Sequence, residues 1–306
     1  MADKSRTAII TACYRAFHAL NDEPKIFDDS LALQLVSADE YKTFQAQMVG
    51  GFRASAPDYA ASFPNDGAIM SFMMRAMATP ALIFGRSRYA EDRLKEAVQT
   101  GIQQYIILGA GLDSFAFRNL ESLAYLKVFE LDLPGTQDYK RKRLNELGWE
   151  CPANLHFIEA DFTKESVSEL LARSRYDSSV PSFFNWLGVT YYLPRETVFA
   201  TLQSIASIAA PGSMVVFDYL DQDILDPEKS APRSQQILML AEQVGEPIQA
   251  LFDPASLAQD LSRLGLRLAE NLSPAEIQAR YFADRSDGYY ACENAHLACA
   301  VVECTF

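Results

Sequence analysis

The fold is decided by residues 105–114, which read YIILGAGLDS and join a short apolar run to a glycine-rich turn. The four apolar residues 105–108 are typical of a strand that is buried on both faces of a parallel sheet. Glycines directly after such a strand let the backbone approach a ligand, and a helix that starts there would supply oriented N–H donors. The stretch therefore predicts a first strand with a ligand-binding turn at its carboxyl end.

Further apolar runs of the same kind follow, separated by segments of helical character. The runs are residues 125–131, 155–158, 182–186 and 213–218, and the helical segments are residues 135–147, 165–172 and 196–209. This alternation predicts the α/β class, with a doubly wound, mostly parallel, Rossmann-like sheet. After residue 255 we expect one more helix, a strand near residues 266–270 and a last strand over residues 296–304.

The first hundred residues contain no strand pattern and read as helices. Ser5 is placed to cap a helix that runs through Phe17, because apolar residues then recur at helical spacing. Shorter helical stretches cover residues 31–36, 69–77 and 88–99. We predict a helical N-terminal cap of residues 1–100 on an α/β core of residues 101–306, the two forming one compact unit.

The predicted helix over residues 69–77 carries four methionines on one face, namely Met70, Met73, Met74 and Met77. They can be read as core packing. They can also be read as a pliable apolar wall over an acceptor pocket, because thioether side chains adapt to irregular ligands. In the second interpretation the first hundred residues form a lid over the strand ends.

Charge and composition exclude several classes of protein. The 306 residues include 27 Lys and Arg against 40 Asp and Glu, a net charge of −13 that argues against general binding to nucleic acid or anionic lipid. No run of about 18 apolar residues occurs, and the N-terminus lacks the apolar segment of a secretory signal. The five cysteines are too sparse for a disulfide framework. We predict a cytoplasmic protein with no membrane or nucleic-acid partner.

Two acidic positions are predicted to lie at the same sheet edge as the glycine turn. Asp132 ends the second strand, 21 residues after Gly111, where an acidic side chain accepts hydrogen bonds from ribose hydroxyls. Asp161-Phe162 follows the third strand and can bind an adenine amino group and stack on the ring. Alone, Asp132 could equally be a solvated carboxylate and Asp161-Phe162 a plain loop. Together with the turn they favour an adenosine-containing cofactor, and Ser114 disfavours a dinucleotide because that pattern has Gly or Ala there.

Several motifs together identify a family. Residues 106–114 followed by Arg118 resemble the signature of the leucine carboxyl methyltransferase-like branch of class I S-adenosylmethionine-dependent methyltransferases. The other segments that resemble this family are residues 5–8 with 15–16, 86–89, 130–134 with 140–141, and 188–193. The resemblance covers most of the chain. It implies a Rossmann-like methyltransferase core, S-adenosylmethionine as cofactor and membership of the bacterial small-molecule branch.

The resemblance also implies roles for individual residues. Arg88, or alternatively Arg86, would hold the methionyl carboxylate of the cofactor, a task suited to a guanidinium group. Asp132 would bind the ribose, and Asp161 with Phe162 would bind the adenine. The full cofactor-binding set that it implies is Arg86, Arg88, Gly109, Ala110, Gly111, Asp113, Asp132, Leu133, Asp161 and Phe162.

Leu187 departs from the family pattern. Many relatives carry Glu at this position, facing the amino-acid part of the cofactor, and an apolar side chain cannot bind an ammonium group. That contact must then come from backbone carbonyls or from another residue. Asn185 is nearby, but the sequence assigns it no role.

We expect in-line methyl transfer from S-adenosylmethionine to an oxygen of a small, largely apolar acceptor. A carboxylate acceptor needs no base at neutral pH, whereas a phenol or alcohol needs one, for which Tyr191, Tyr192 and His296 are the candidates. Two alternatives stay open. One is a catalytically silent protein that binds the cofactor as a sensor or scaffold, and the other is a nicotinamide-dependent oxidoreductase.

The C-terminal segment contains four residues of types that can bind metals, namely Cys292, His296, Cys299 and Cys304. Their spacing is not that of a zinc knuckle, and the segment alternates like a strand. We therefore predict no metal site. The predicted partner is a small-molecule acceptor, and the sequence leaves the oligomeric state open.

Overall fold

A seven-stranded sheet organises the protein, which we describe from a computed structural model for residues 5–118, 125–243 and 245–303. The strands are β1 (Gln104–Leu108), β2 (Lys127–Asp132), β3 (Leu155–Glu159), β4 (Ser182–Trp186), β5 (Met214–Leu220), β6 (Leu266–Leu272) and β7 (Ala295–Val302). Their order is β3-β2-β1-β4-β5-β7-β6. β1 to β5 pair in parallel, and β7 pairs antiparallel with both β5 and β6. The predicted α/β fold with a doubly wound, mostly parallel sheet is confirmed.

Helices pack on both faces of this sheet. They are α1 (Arg6–Asn21), α2 (Ala32–Leu35), α3 (Ala38–Ser55), α4 (Pro57–Ala60), α5 (Asp66–Ala76), α6 (Ala78–Gln99), α7 (Pro134–Glu146), α8 (Val167–Ala172), α9 (Arg195–Ile208), α10 (Pro232–Gln243), α11 (Leu257–Ser262) and α12 (Pro274–Ile277). Alternate residues of β1 enter two hydrophobic clusters. Tyr105 and Ile107 pack with the N-terminal helices, and Ile106 and Leu108 pack with α8 and α9. The strand is therefore buried on both faces, as its apolar run predicted.

The strand order places a crevice beside β1. The chain runs outward from β1 to β2 and β3, and then crosses back to β4 on the other side of β1. In doubly wound sheets the ligand binds at this switch point, outside the carboxyl ends of the strands. The glycine turn that follows β1 lies at that position.

Several helix predictions need correction, and α10, between β5 and β6, was not predicted. After the glycine turn the described residues contain only a 3-10 turn, Phe115–Phe117, where we expected an α-helix. α6 begins at Ala78, ten residues before the predicted start. The sequence did not reveal its first half because that half is buried on nearly all sides and so shows no amphipathic period. α3 was not predicted, although Ser37 and Glu40 form a capping box at its start. Cys304, the predicted end of the last strand, lies outside the described residues.

The N-terminal helices share one hydrophobic cluster with the strands. Phe17 of α1, Phe84 of α6, Ile107 of β1 and Phe183 of β4 all belong to it. This packing joins the predicted cap to the predicted core. Within the described residues no single helix is long and apolar enough to span a membrane, and the bent pair α5 and α6 passes that test only when the two are taken together.

A buried ion pair supports the glycine turn. Lys140 of α7 pairs with Glu130 of β2, and each side chain is only 1% exposed. The Lys140 ammonium also donates a hydrogen bond to the backbone carbonyl of Asp113, at 2.6 Å. The pair therefore connects α7 and β2 to the turn that follows β1.

Lys140→Met should lower the free energy of unfolding by about 3–5 kcal/mol, because it leaves the Glu130 carboxylate buried without a partner. Burial raises the pKa of Glu130, and Lys140 acts against that rise. Without Lys140 the folded-state pKa lies further above that of the unfolded chain, so the folded variant takes up a proton as the pH falls. The loss measured by urea unfolding should therefore be smaller at about pH 5 than at about pH 8.

The double variant Glu130→Gln/Lys140→Met is the control, because it removes both charges. It should recover most of the loss. A loss that is equal at both pH values and unchanged in the double variant would contradict this account of the pair.

Candidate active site

One large cavity lies at the carboxyl ends of β1, β2 and β4. Its volume is about 1110 Å³, and it is bounded by the glycine turn on one side and by side chains of α1, α3 and α5 on the other. A pocket for one small molecule usually measures about 300–1,000 Å³. The cavity is therefore large enough for a cofactor together with a second, smaller molecule.

The glycine turn has a backbone conformation that other residues rarely adopt. Gly109 has φ +74° and Gly111 has φ +54°. A Cβ atom on Gly109 would lie 2.4 Å from Cγ2 of Val189, and one on Gly111 would lie 3.2 Å from Cβ of Ala8. Glycine is required at position 109 both by its φ angle and by the close approach of Val189. The turn leaves an open cradle on the cavity side, which Gly109, Ala110 and Gly111 line.

Asp132 holds the turn and lines the same cavity. Its Oδ2 accepts a hydrogen bond from the Gly111 N–H at 2.5 Å, and its Oδ1 accepts one from the Leu133 N–H at 2.7 Å. Burial raises the pKa of Asp132, and these two N–H groups act in the opposite direction. The Thr136 hydroxyl also donates a hydrogen bond to this carboxylate. Because a carboxylate offers about four acceptor positions, one stays free for a ribose hydroxyl.

Asp161 and Phe162 line the cavity beyond the end of β3. Asp161 is paired with Lys164 at 2.7 Å and accepts hydrogen bonds from the hydroxyl and the N–H of Thr163, at 2.6 and 3.1 Å. The bond from Lys164, followed by those from Thr163, lowers the pKa of Asp161. The structure thus brings the turn, Asp132, Leu133 and the Asp161-Phe162 pair around one cavity, as the resemblance implied.

The two arginines of α6 lie in different environments. Arg86 lines the cavity, and its Nη1 donates to the Tyr191 hydroxyl at 2.6 Å and to the Asp218 carboxylate at 2.9 Å. Arg88 does not line the cavity; it is half exposed and paired with Asp92 at 2.8 Å. The expectation that Arg88 holds the methionyl carboxylate is therefore corrected, because α6 presents Arg86 to the cavity instead. Arg86 becomes the candidate for that role.

The structure also corrects the candidate bases. His296 lies outside the cavity, stacked on Tyr219, with its Nε2 3.1 Å from Asp221. Tyr191 and Tyr192 do line the cavity. Burial raises the pKa of Tyr191 well above its usual value and that of Tyr192 to about 12. Both phenols are protonated at neutral pH, so neither can take a proton from an acceptor.

Sequence reasoning missed one carboxylate of the cavity. Glu246 follows α10, lines the cavity and accepts a hydrogen bond from the Thr7 hydroxyl of α1 at 2.5 Å. No motif surrounds it, and its position depends on the packing of two distant segments. No group of three or more metal-binding side chains occurs among residues 5–118, 125–243 and 245–303, and Cys304 lies outside them.

This geometry defines a nucleoside-binding α/β enzyme of the class I methyltransferase type. A family model described as leucine carboxyl methyltransferase matches residues 8–206, and the chain belongs to that family. Over 300 residues, 98% of each chain, it is 33% identical to the Bacillus subtilis (strain 168) protein named "Putative S-adenosyl-L-methionine-dependent methyltransferase YktD". Over 214 residues, 70% of this chain and 66% of the relative, it is 32% identical to a Mycobacterium ulcerans (strain Agy99) protein with the same description.

Solved structures show the same fold. A DUF574 family protein from Streptomyces avermitilis MA-4680 matches with a TM-score of 0.59 and 12% identity, over 97% of both chains. A protein from Thermobifida fusca YX, titled a "putative methyltransferase", matches with a TM-score of 0.54 and 15% identity, over 79% of this chain and 90% of that one. Together with the family and the relatives, the fold establishes an S-adenosylmethionine-dependent methyltransferase, and the nicotinamide-dependent alternative is not favoured.

Asp132→Ala should weaken the binding of S-adenosylhomocysteine by about 1–3 kcal/mol, the scale for hydrogen bonds to a charged group. Isothermal titration calorimetry measures this loss, and thermal unfolding should show that the fold survives. Glu159→Ala is the matched control, because Glu159 is the register partner of Asp132 on β3 but is exposed and does not line the cavity. Equal affinities for the parent and Asp132→Ala would refute the ribose role.

Arg86→Lys should weaken the binding of S-adenosylhomocysteine by about 1–3 kcal/mol, because the ammonium group of lysine cannot reproduce the planar set of N–H donors of a guanidinium group. Arg88→Lys, two residues along the same helix, should bind as the parent does. Calorimetry on both variants tests the assignment. The opposite order of affinities would restore Arg88 as the carboxylate ligand.

Proposed function

We propose that the protein methylates an oxygen atom of a small, largely apolar metabolite or natural-product intermediate. One observation carries this proposal: the cofactor turn and a set of apolar side chains line a single cavity. This apolar wall consists of side chains from α1, α3, α5 and the start of α6, among them Tyr14, Phe44, Met48, Phe52, Met73 and Met77. An acceptor held against that wall would lie next to the cofactor.

The methionine face divides between the wall and the core. Met73 and Met77 line the cavity, whereas Met70 and Met74 do not and are 2% and 0% exposed. The core-packing interpretation therefore applies to Met70 and Met74, and the cavity-wall interpretation applies to Met73 and Met77. The two cavity-lining thioethers give the acceptor side a surface that can adapt to an irregular ligand.

The residues present fit the cofactor at the turn. Gly109, Ala110 and Gly111 line the cavity with little more than backbone, and the Asp132 carboxylate, which keeps a free acceptor position, lines it beside them. S-adenosylmethionine supplies an electrophilic methyl group when it is bound. The chain then has to bind and align the acceptor and exclude water, which the enclosing helices are placed to do.

An acceptor that is already ionised matches the cavity best. No histidine lines the cavity among the described residues, and Tyr191 and Tyr192 hold their protons at neutral pH. A carboxylate acceptor needs no base, so methyl ester formation is the form of O-methylation that we favour. For a hydroxyl acceptor, Glu246 is the cavity carboxylate to which the resemblance assigns no cofactor role.

The test uses a metabolite extract incubated with the protein and S-adenosylmethionine labelled in its methyl group. Mass spectrometry should show a labelled, apolar small molecule that is absent without protein and, at limiting S-adenosylmethionine, reduced with Asp132→Ala. Mild alkali should release labelled methanol from a methyl ester, whereas an ether would be stable. Label on nitrogen or sulfur, or no labelled product although S-adenosylhomocysteine binds, would overturn the proposal, and the second result would favour a sensor or scaffold.

Met73→Ala should reduce product formation at limiting acceptor while leaving S-adenosylhomocysteine affinity unchanged, because the side chain faces the acceptor end of the cavity. Met70→Ala removes a core side chain from the same helix and should lower the free energy of unfolding by about 2–5 kcal/mol. Product yield, calorimetry and urea unfolding on both variants separate the two effects. Normal product formation by Met73→Ala would remove this methionine from the acceptor wall.

A further inference from the structure

Asn185 carries a buried oxygen for which the described residues provide no hydrogen-bond donor. The residue is 5% exposed, and its Nδ2 donates to the Tyr105 hydroxyl at 2.8 Å. Its Oδ1 is buried and has no partner among those residues. Native proteins rarely leave a buried polar atom unsatisfied, so a donor from outside the chain is expected at this position.

The position of Asn185 places this oxygen at the cofactor end of the site. Asn185 lies near the carboxyl end of β4, in register with Ile107 of β1, which precedes the glycine turn. It lines the main cavity and also a second cavity of about 40 Å³ behind it. A cavity of this size has room for a water-sized polar group.

The second cavity is lined by one more carboxylate residue than arginine residues. Three carboxylates, of Asp29, Glu91 and Asp113, line it together with two guanidinium groups, of Arg15 and Arg118. Arg15 pairs with Asp29 at 2.8 Å, and Arg118 pairs with Glu91.

Asp113 forms no ion pair within the described residues, and Arg118, which interacts with it electrostatically, is paired with Glu91. Its Oδ1 accepts a hydrogen bond from the Phe115 N–H at 2.7 Å, and Lys140 reaches only its backbone carbonyl. The second cavity, which Asn185 also lines, is therefore lined by one more carboxylate than guanidinium groups.

We propose that Asn185, together with the carboxylate of Asp113, binds the ammonium group of the cofactor's methionyl part. An ammonium group is a compact cation with three donors, which suits one amide oxygen and one carboxylate. The site therefore needs no glutamate at position 187, where the apolar Leu187 lines both cavities. The inference rests on the cofactor and not on the identity of the acceptor.

The test compares two ligands that differ only in this group: S-adenosylhomocysteine, and its analogue with hydrogen in place of the α-amino group. By calorimetry, the parent should prefer S-adenosylhomocysteine by about ten- to a hundredfold, the range for a hydrogen bond to a charged group. Asn185→Leu should lose most of this preference and bind the deaminated analogue as the parent does. Met73→Leu, at the acceptor end, should keep the preference.

Asn185→Asp keeps an oxygen acceptor at this position and should retain the preference for S-adenosylhomocysteine. Loss of the preference in a folded Asn185→Asp variant would overturn the proposal, and so would equal binding of both ligands by the parent. Even if Asn185→Leu does not fold, the affinities of the parent for the two ligands still test whether the α-amino group is bound. If the parent bound neither ligand, the cofactor assignment itself would fail, which is a distinct result.

Discussion

The left-handed backbone at Gly109 and Gly111 is the constraint on which the cofactor end of the protein depends. Val189 approaches this turn so closely that a side chain at Gly109 has no room, and Ala8 packs against Gly111. Asp132 fixes the turn through the Gly111 N–H, and Lys140 holds the carbonyl of Asp113. Of the groups that shape the turn, Ala8, Asp132 and Val189 also line the cavity, whereas Lys140 supports it from behind, so the site is already organised in the protein alone.

Most of the sheet could be predicted from the sequence, because strands that are buried on both faces read as continuous apolar runs. The helices were harder wherever burial removes the amphipathic period, as in the first half of α6. The position of Asp132 at the cavity could be predicted because its spacing from the turn follows from the βαβ unit. The choice between Arg86 and Arg88 could not, since residues two apart on a helix point in different directions and tertiary packing decides which one faces the site.

Tertiary packing also decides whether His296 and the four methionines face the cavity, which the sequence could not show. His296 pairs in register with Tyr219 of β5, but β5 and β7 lie further from the switch point than β4, so the residue falls outside the cavity. Helical periodicity placed the four methionines on one face. It could not show that the edge of the cavity divides that face, leaving Met70 in the core and Met73 at the wall.

The acceptor side and the cofactor side are joined too closely to be separated by deletion. The start of α1 packs Ala8 against Gly111 and links Thr7 to Glu246, while Phe17 and His18 further along α1 are buried. Removal of the first 20 residues or so would therefore disturb the turn and the hydrophobic core together. A lid that also completes the core cannot be assigned a role by truncation, and only single side chains that face the cavity report on acceptor binding alone.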